Sequence, residues 1–184
     1  MGYVDLIKHS IDQRLYRIIA ASQIKAANVV MDIGSGKRPQ ALEFFKPEIM
    51  YCFDPTYETH ISDDGIHVIH GTWKTAIDTM KTVPTDTVFL MDVIEHLPKE
   101  EGVSLLKETE GLVKKQIVVF TPLGFMKQND GEWNTHRSGW LPEDFKDGWK
   151  TFVFPNFHRI GLKNRVLEKP HGALLAVYNK PRVA

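Results

Sequence analysis

A doubly wound α/β sheet is the fold class this sequence predicts, and three observations predict it. Five short runs are apolar throughout and alternate with helical patterns, as in a mostly parallel sheet covered on both faces. The first run, "ANVVMDIG", ends in a glycine turn. After Pro122 the alternation stops, and "WKTFVFP" and "HGALLAVYNK" follow too closely for a helical crossover, so they are expected to be antiparallel to each other.

The elements follow in order. "YVDLIKHSIDQRLYRIIAASQ" spaces Val4, Ile7, Ile11, Leu15, Ile18 and Ile19 by three and four, an amphipathic helix expected to lay that stripe on the core. After the first strand, "KRPQALEFF" is expected to begin a helix, and "IMYCFDPT" is a second strand stopped by Pro55. "IHVIHG" is the third strand, "TWKTAIDTM" a short helix and "DTVFLMDV" the fourth strand. "PKEEGVSLLKETEGLV" is a helix whose faces are set by Val103, Leu106 and Glu110, with Glu95 and His96 expected to open it, and "KQIVVFTP" is the fifth strand. The long loop "LGFMKQNDGEWNTHRSGW" comes next, and "LPEDFKDG" has room for at most two helical turns.

Composition narrows the functional classes. At 184 residues, 42% hydrophobic and 25% charged, the chain suits one domain over residues 1–184, with residues 1–24 as an N-terminal helix packed on it. Lys plus Arg and Asp plus Glu both number 23, so no global basic field advertises a nucleic-acid or membrane partner. The one cysteine, Cys52, lies in an apolar strand, which excludes a disulfide framework and a thiolate cluster. With no uncharged run near the roughly 20 residues that span a bilayer, a cytoplasmic monomer or homodimer is expected. No His/Asp/Glu cluster stands at ligand spacing in the linear sequence, so no metal site is expected.

The turn "VVMDIGSGKRP" carries the chemistry. A dinucleotide fingerprint places a third glycine where Pro39 stands, and a carboxylate at Asp32 would sit near two negative phosphates. A P-loop fails because Gly36-Lys37 is followed by Arg38. A cationic ligand without phosphate reverses the argument: Asp32 offsets positive charge directly or through water, and Gly34 and Gly36 let the backbone come close. Asp54 ends the second strand 22 positions after Asp32, near the separation of roughly 20 at which an acid reaches ribose hydroxyls.

Five segments in order, "VVMDIGSG", "YCFDPT", "VIHGTW", "TDTVFLMDVIEHL" and "QIVVFTPLGF", resemble the class I S-adenosylmethionine-dependent methyltransferases, within them the small methyltransferase type 11-like branch. The resemblance implies a Rossmann-like seven-stranded sheet of order 3-2-1-4-5-7-6 with strand 7 antiparallel. It implies S-adenosyl-L-methionine as cofactor and S-adenosyl-L-homocysteine as product. By position it assigns Asp32, Gly34, Ser35 and Gly36 to the methionine moiety and Asp54 with Pro55 to ribose and the adenine edge. Gly71, Thr72 and Trp73 fall along adenine, and Asp92 with Val93 beneath the methionine part. Lys37-Arg38-Pro39 is more basic and stiffer than the common pattern.

In the loop after the fifth strand, where such enzymes build the acceptor pocket, Trp133, Arg137 and Trp140 are candidate substrate contacts. His136 and His96 are candidate catalytic residues, since imidazole titrates near neutrality. Methyl transfer from an activated sulfonium needs alignment and exclusion of water more than a base. The D/N-P-P-Y/F segment of amino-methylating nucleic-acid enzymes is absent, "MDVIEH" standing in its place, and Cys52 is on the wrong strand for a cytosine C5 nucleophile. A small or medium polar acceptor is therefore expected. A cofactor-binding module without turnover, acting as sensor or partner subunit, and a nucleotide-dependent oxidoreductase stay open beside the enzyme.

Overall fold

The structure is a computed structural model that describes residues 3–158 and 170–181; the side chain of Val4 and most of the polar stretch between the last two strands lie outside them. Its elements are α1 (Tyr3–Gln23), β1 (Val29–Ile33), β2 (Ile49–Asp54), β3 (Ile61–Asp63), β4 (Ile66–His70), α2 (Trp73–Met80), β5 (Thr87–Met91), α3 (Lys99–Leu112), β6 (Gln116–Pro122), α4 (Gly131–Asn134), β7 (Trp149–His158) and β8 (His171–Asn179). They form one eight-stranded sheet of order β3-β4-β2-β1-β5-β6-β8-β7. β4, β2, β1, β5 and β6 are parallel; β8 runs antiparallel to both β6 and β7. Without β3 this is the expected seven-stranded order.

The added strand is an edge. β3 pairs antiparallel with β4 through Asp63↔Ile66 across a two-residue turn in which Asp64 (φ 43°) and Gly65 (φ 78°) are both left-handed. A turn of that kind matches the twist of the strands it joins, and Asp-Gly is one of the pairs that adopt it.

Side chains alternate across the central strands with period two, as a sheet buried on both faces requires. Met31, Ile33, Val88, Leu90, Ile117 and Val119 pack toward α2 and α3. Val30, Phe89, Met91, Val118 and Phe120 pack toward the opposite layer with Ala20 of α1.

That opposite layer departs from the sequence reading twice. No α-helix follows β1: residues Gln40–Glu43 form one turn of 3-10 helix. Pro39 and Pro47 leave only positions 40–46 between them, too short for a stable helix, and the layer is filled instead by Phe44 and Phe45 over Phe89, at ring distances of 6.0 and 6.2 Å.

α1 docks by a face other than its apolar stripe. Ile7, Ile11, Leu15 and Ile18 are exposed, Ile18 to 67%, and only Ile19 of the described stripe packs on the core. Asp12 accepts from the Asn156 N–H, His9 Nδ1 donates to the Asn156 carbonyl, and Gln13 donates to the Phe157 carbonyl. Tyr16 lies among Phe120, Phe154 and Phe157. β7 is the sheet's other edge and its pairing with β8 breaks between Phe154 and His158, so its backbone there needs partners. The polar face of α1 supplies them, and that requirement overrides the apolar periodicity. Val103 of α3 is likewise exposed, while Leu105, Leu106 and Thr109 form that helix's buried face. No helix among the described residues is long and apolar enough to cross a membrane.

Candidate functional site

A cleft of about 400 Å³ opens beyond the carboxyl ends of β1, β2, β4 and β5, the place where an open α/β sheet binds ligands. Gly34, Gly36, Asp54, Pro55, Gly71, Thr72, Trp73, Asp92 and Val93 line it, as do His96 and Trp133. Ile33, Lys37, Thr56, Leu97 and Asn134 complete the wall and were not among the sequence candidates. Thr56 follows Asp54-Pro55 directly and was within reach of the motif; the others carry no signal of their own.

The floor is the turn after β1. Gly34 (φ 70°) and Gly36 (φ 58°) take left-handed conformations that disfavour a Cβ. A Cβ at Gly34 would stand 2.6 Å from Val93 Cγ2, whereas one at Gly36 would meet nothing within 4 Å. The turn's N–H groups are all engaged internally. Gly34 and Ser35 donate to the Phe53 carbonyl (2.7 and 3.2 Å), and Gly36 donates to Asp54 Oδ2 (2.9 Å). Asp54 Oδ1 accepts from the Thr56 N–H and hydroxyl. Tyr57, unremarked in the sequence, donates its hydroxyl to the Gly36 carbonyl (2.6 Å) and accepts from Ser35 (2.7 Å), pinning the turn.

Asp32 and Ser35 stand behind this wall rather than on it. Asp32 is 1% exposed; its Oδ2 accepts from the Ala41 N–H at 3.3 Å and its Oδ1 has no partner among the described residues. It fastens the 3-10 turn as a capping acid would. Burial raises its carboxyl to about 7, against the lowering pull of the Ala41 and Gln40 N–H groups. Asp92, left-handed at φ 54°, lines the cleft where β5 ends, and burial raises it to about 6.

The far end of the cleft is made by residues distant in sequence. Ile94–His96 forms a 3-10 turn, and α3 begins only at Lys99 after Pro98, so Glu95 and His96 precede the helix rather than open it. The loop after β6 is clamped onto this turn. The Arg137 and Ser138 N–H groups donate to the Glu95 carbonyl (2.7 and 3.0 Å), and the Ser138 hydroxyl donates to the Ile94 carbonyl (3.1 Å).

The three candidate substrate contacts therefore part company. Trp133 lines the cleft at 44% exposure. Arg137 does not: its guanidinium donates to the His96 and Glu132 carbonyls, 2.7 Å each, and braces the turn from outside. Trp140 is fully buried, with the Lys99 ammonium 3.7 Å over its ring and its indole edge where a Cβ on Gly102 would fall. It anchors the loop to α3, so its side chain is kept from the cleft.

Of the two histidines, His96 lines the cleft and His136, 7% exposed, stands behind it with ring centroids 4.8 Å apart. Burial lowers the His96 imidazole, keeping it neutral near pH 7. Glu95 is 1% exposed, and burial together with the nearby Asp92 charge holds its carboxyl well above the usual range. Ligand atoms of Glu95, His96 and His136 lie within 4.8 Å of one another. Spacing in the sequence does not foreshadow this grouping: His96 and His136 stand 40 positions apart, and the loop clamp brings them together.

No family model matches the sequence, and no curated protein does. Solved structures do match. A SAM-dependent methyltransferase from Archaeoglobus fulgidus is 19% identical, with a TM-score of 0.56 over 97% of this chain and 100% of its own. DhpI, solved as its SAH complex, is 15% identical with a TM-score of 0.59 over 98% and 89%. The plantazolicin methyltransferase BamL, solved with a triazolic desmethylPZN analog and SAH, is 14% identical with a TM-score of 0.52 over 96% and 86%. What such identities share is architecture: this chain has the fold of the S-adenosylmethionine-dependent methyltransferases.

Proposed function

We propose that the protein is an S-adenosylmethionine-dependent methyltransferase acting on an O, N or C of a small or medium-sized polar acceptor. The observation that carries the reading is the engagement of every N–H in the Gly34–Gly36 turn by Phe53 and Asp54. A pyrophosphate is bound by free N–H groups at a helix N-terminus; here they are occupied, and no α-helix follows the turn. A nucleoside without phosphate asks for the opposite. Asp54 keeps one acceptor site, on Oδ2, for a ribose hydroxyl beside the bonds from Gly36 and Thr56, and Trp73 offers its face to adenine.

The fit extends along the cleft. Gly34 leaves room for the Val93 side chain, and Gly36 opens onto free space where a cofactor backbone would pass. S-adenosylmethionine supplies an activated methyl on a sulfonium. Asp92 at the cleft wall supplies negative potential toward that cation. Ile33, Val93 and Leu97 supply apolar contact and exclude water. The DhpI and BamL complexes with SAH are consistent with this ligand class. Trp133 and His96 then mark the end where the acceptor enters.

Isothermal calorimetry with S-adenosylmethionine, S-adenosylhomocysteine and NAD tests the reading. Binding of the first two and none of NAD is expected; NAD binding with neither thioether overturns it. Incubation with a metabolite extract separates enzyme from sensor, since only the enzyme accumulates S-adenosylhomocysteine.

A further inference from the structure

We infer that Glu95, His96 and His136 form a binding site for one divalent transition-metal ion at the acceptor end of the cleft. The site itself is independent of the methyltransferase reading; what it does for the acceptor rests on that reading.

The two imidazoles are prepared alike. His96 Nδ1 lies 3.3 Å from the Thr135 carbonyl and His136 Nδ1 lies 2.6 Å from the Met126 carbonyl. A carbonyl only accepts, so each Nδ1 carries the proton and each Nε2 keeps a lone pair. Metal-bound histidines are oriented by this kind of outer hydrogen bond. The third group is a carboxyl that burial and the adjacent Asp92 hold toward its protonated form, and a bound cation displaces that proton. Glu95 Oε2 accepts from the Thr121 hydroxyl at 2.9 Å, while Oε1 is buried without a partner among the described residues. Two acids, Glu95 and Asp92, meet here, and a cation relieves the repulsion between their charged forms. One ligand-capable atom from each of the three residues lies within 4.8 Å of the others, and the ions that two imidazoles and one carboxylate suit are manganese, iron, cobalt or zinc.

A single proton-accepting base would need one imidazole. The structure supplies two, with matched tautomers, beside an acid. It also fixes the donors in place: the Glu95 and His96 carbonyls receive the Arg137 N–H and guanidinium, so the turn and the loop move as one. Three protein ligands leave coordination positions open. His96 lies on the cleft wall while Glu95 and His136 are buried, so the open side faces the cleft. An acceptor with an oxygen donor, a hydroxyl above all, fits there, because a bound cation lowers the pKa of a coordinated hydroxyl.

The experiment uses the full chain, freed of any affinity tag and stripped with chelator, titrated with Co2+ and followed by its visible absorption. One Co2+ per chain with a nitrogen-containing ligand spectrum is expected, weakened at least tenfold in His136→Ala and in Glu95→Gln. Circular dichroism on the same samples checks that each variant is folded, and S-adenosylhomocysteine calorimetry reports the cofactor site separately. Wild-type protein that takes up no Co2+, or folded variants that bind it as tightly as wild type, overturns the site. Co2+ uptake without S-adenosylhomocysteine binding would keep the metal site and remove the methyltransferase reading.

Discussion

The two ends of the cleft are built by different means. At the β1 end a contiguous turn shapes the wall with backbone, and its N–H groups are paired before any ligand arrives. At the β5 end the surface is made of side chains from a 3-10 turn and a loop roughly 40 positions apart, and Glu95 Oε1, like Asp32 Oδ1 behind the other end, has no hydrogen-bond donor among the described residues. Backbone sites are sensitive to an added Cβ and indifferent to most side-chain changes. Side-chain sites are the reverse. The cofactor reading belongs to the first end and the metal inference to the second, so each fails by its own substitution.

The largest effect is expected at Gly34. Alanine there adds a left-handed penalty of about 1–2 kcal/mol and a clash with Val93, seen as a 2.6 Å approach, that overpacking places at about 1–3 kcal/mol. Gly36→Ala meets only the first, since nothing lies within 4 Å of its Cβ. Chemical denaturation should therefore show Gly34→Ala as the less stable of the two, with weaker S-adenosylhomocysteine binding. Equal losses would mean that Val93 swings aside and the turn is not held by packing.

Asp54 sharpens the contrast next. Asp54→Ala removes the acceptor of the Gly36 and Thr56 N–H groups as well as the ribose partner, and calorimetry should show S-adenosylmethionine affinity reduced by about 1.5–3 kcal/mol, the range for hydrogen bonds to a charged group. Unchanged affinity would show that the ribose is held elsewhere along the wall.

The same division decided what could be read from the residues. The β1 end was legible because glycine, aspartate and proline carry conformational meaning at fixed spacing, and nine of the eleven expected cofactor positions line the cleft. The sheet order is legible through the resemblance, and Asp64-Gly65 carries the turn signal for β3. Asp32 lies behind the cleft wall, a placement not legible from spacing, which does not say which way a carboxylate at a strand end points. α1 was misjudged because apolar periodicity says nothing about a bare sheet edge that needs hydrogen bonds. The cluster at Glu95, His96 and His136 could not be read at all, since it depends on where a long loop lands.

A change read as a pH slope tests Asp32, the residue whose role moved most. Its carboxyl titrates near 7 in the folded chain and about 3.9 when unfolded. Between those values the unfolded state is ionised and the folded state holds the proton, so unfolding releases protons and rising pH lowers stability. Asp32's contribution is thus fully present below about pH 4, declines across pH 4 to 7, and is lost above it. Asp92 and Glu95 shift in the same direction and give slopes of the same sign. Asp32→Asn keeps an oxygen for the Ala41 N–H and removes the titration. Its unfolding free energy, measured by denaturant from pH 4 to 8, should fall less steeply than wild type while S-adenosylhomocysteine affinity stays the same. Superposed slopes would mean that Asp32 is ionised throughout in the folded protein, and its charge would then lie beneath the cofactor turn as a fixed counter-ion rather than as a neutral cap.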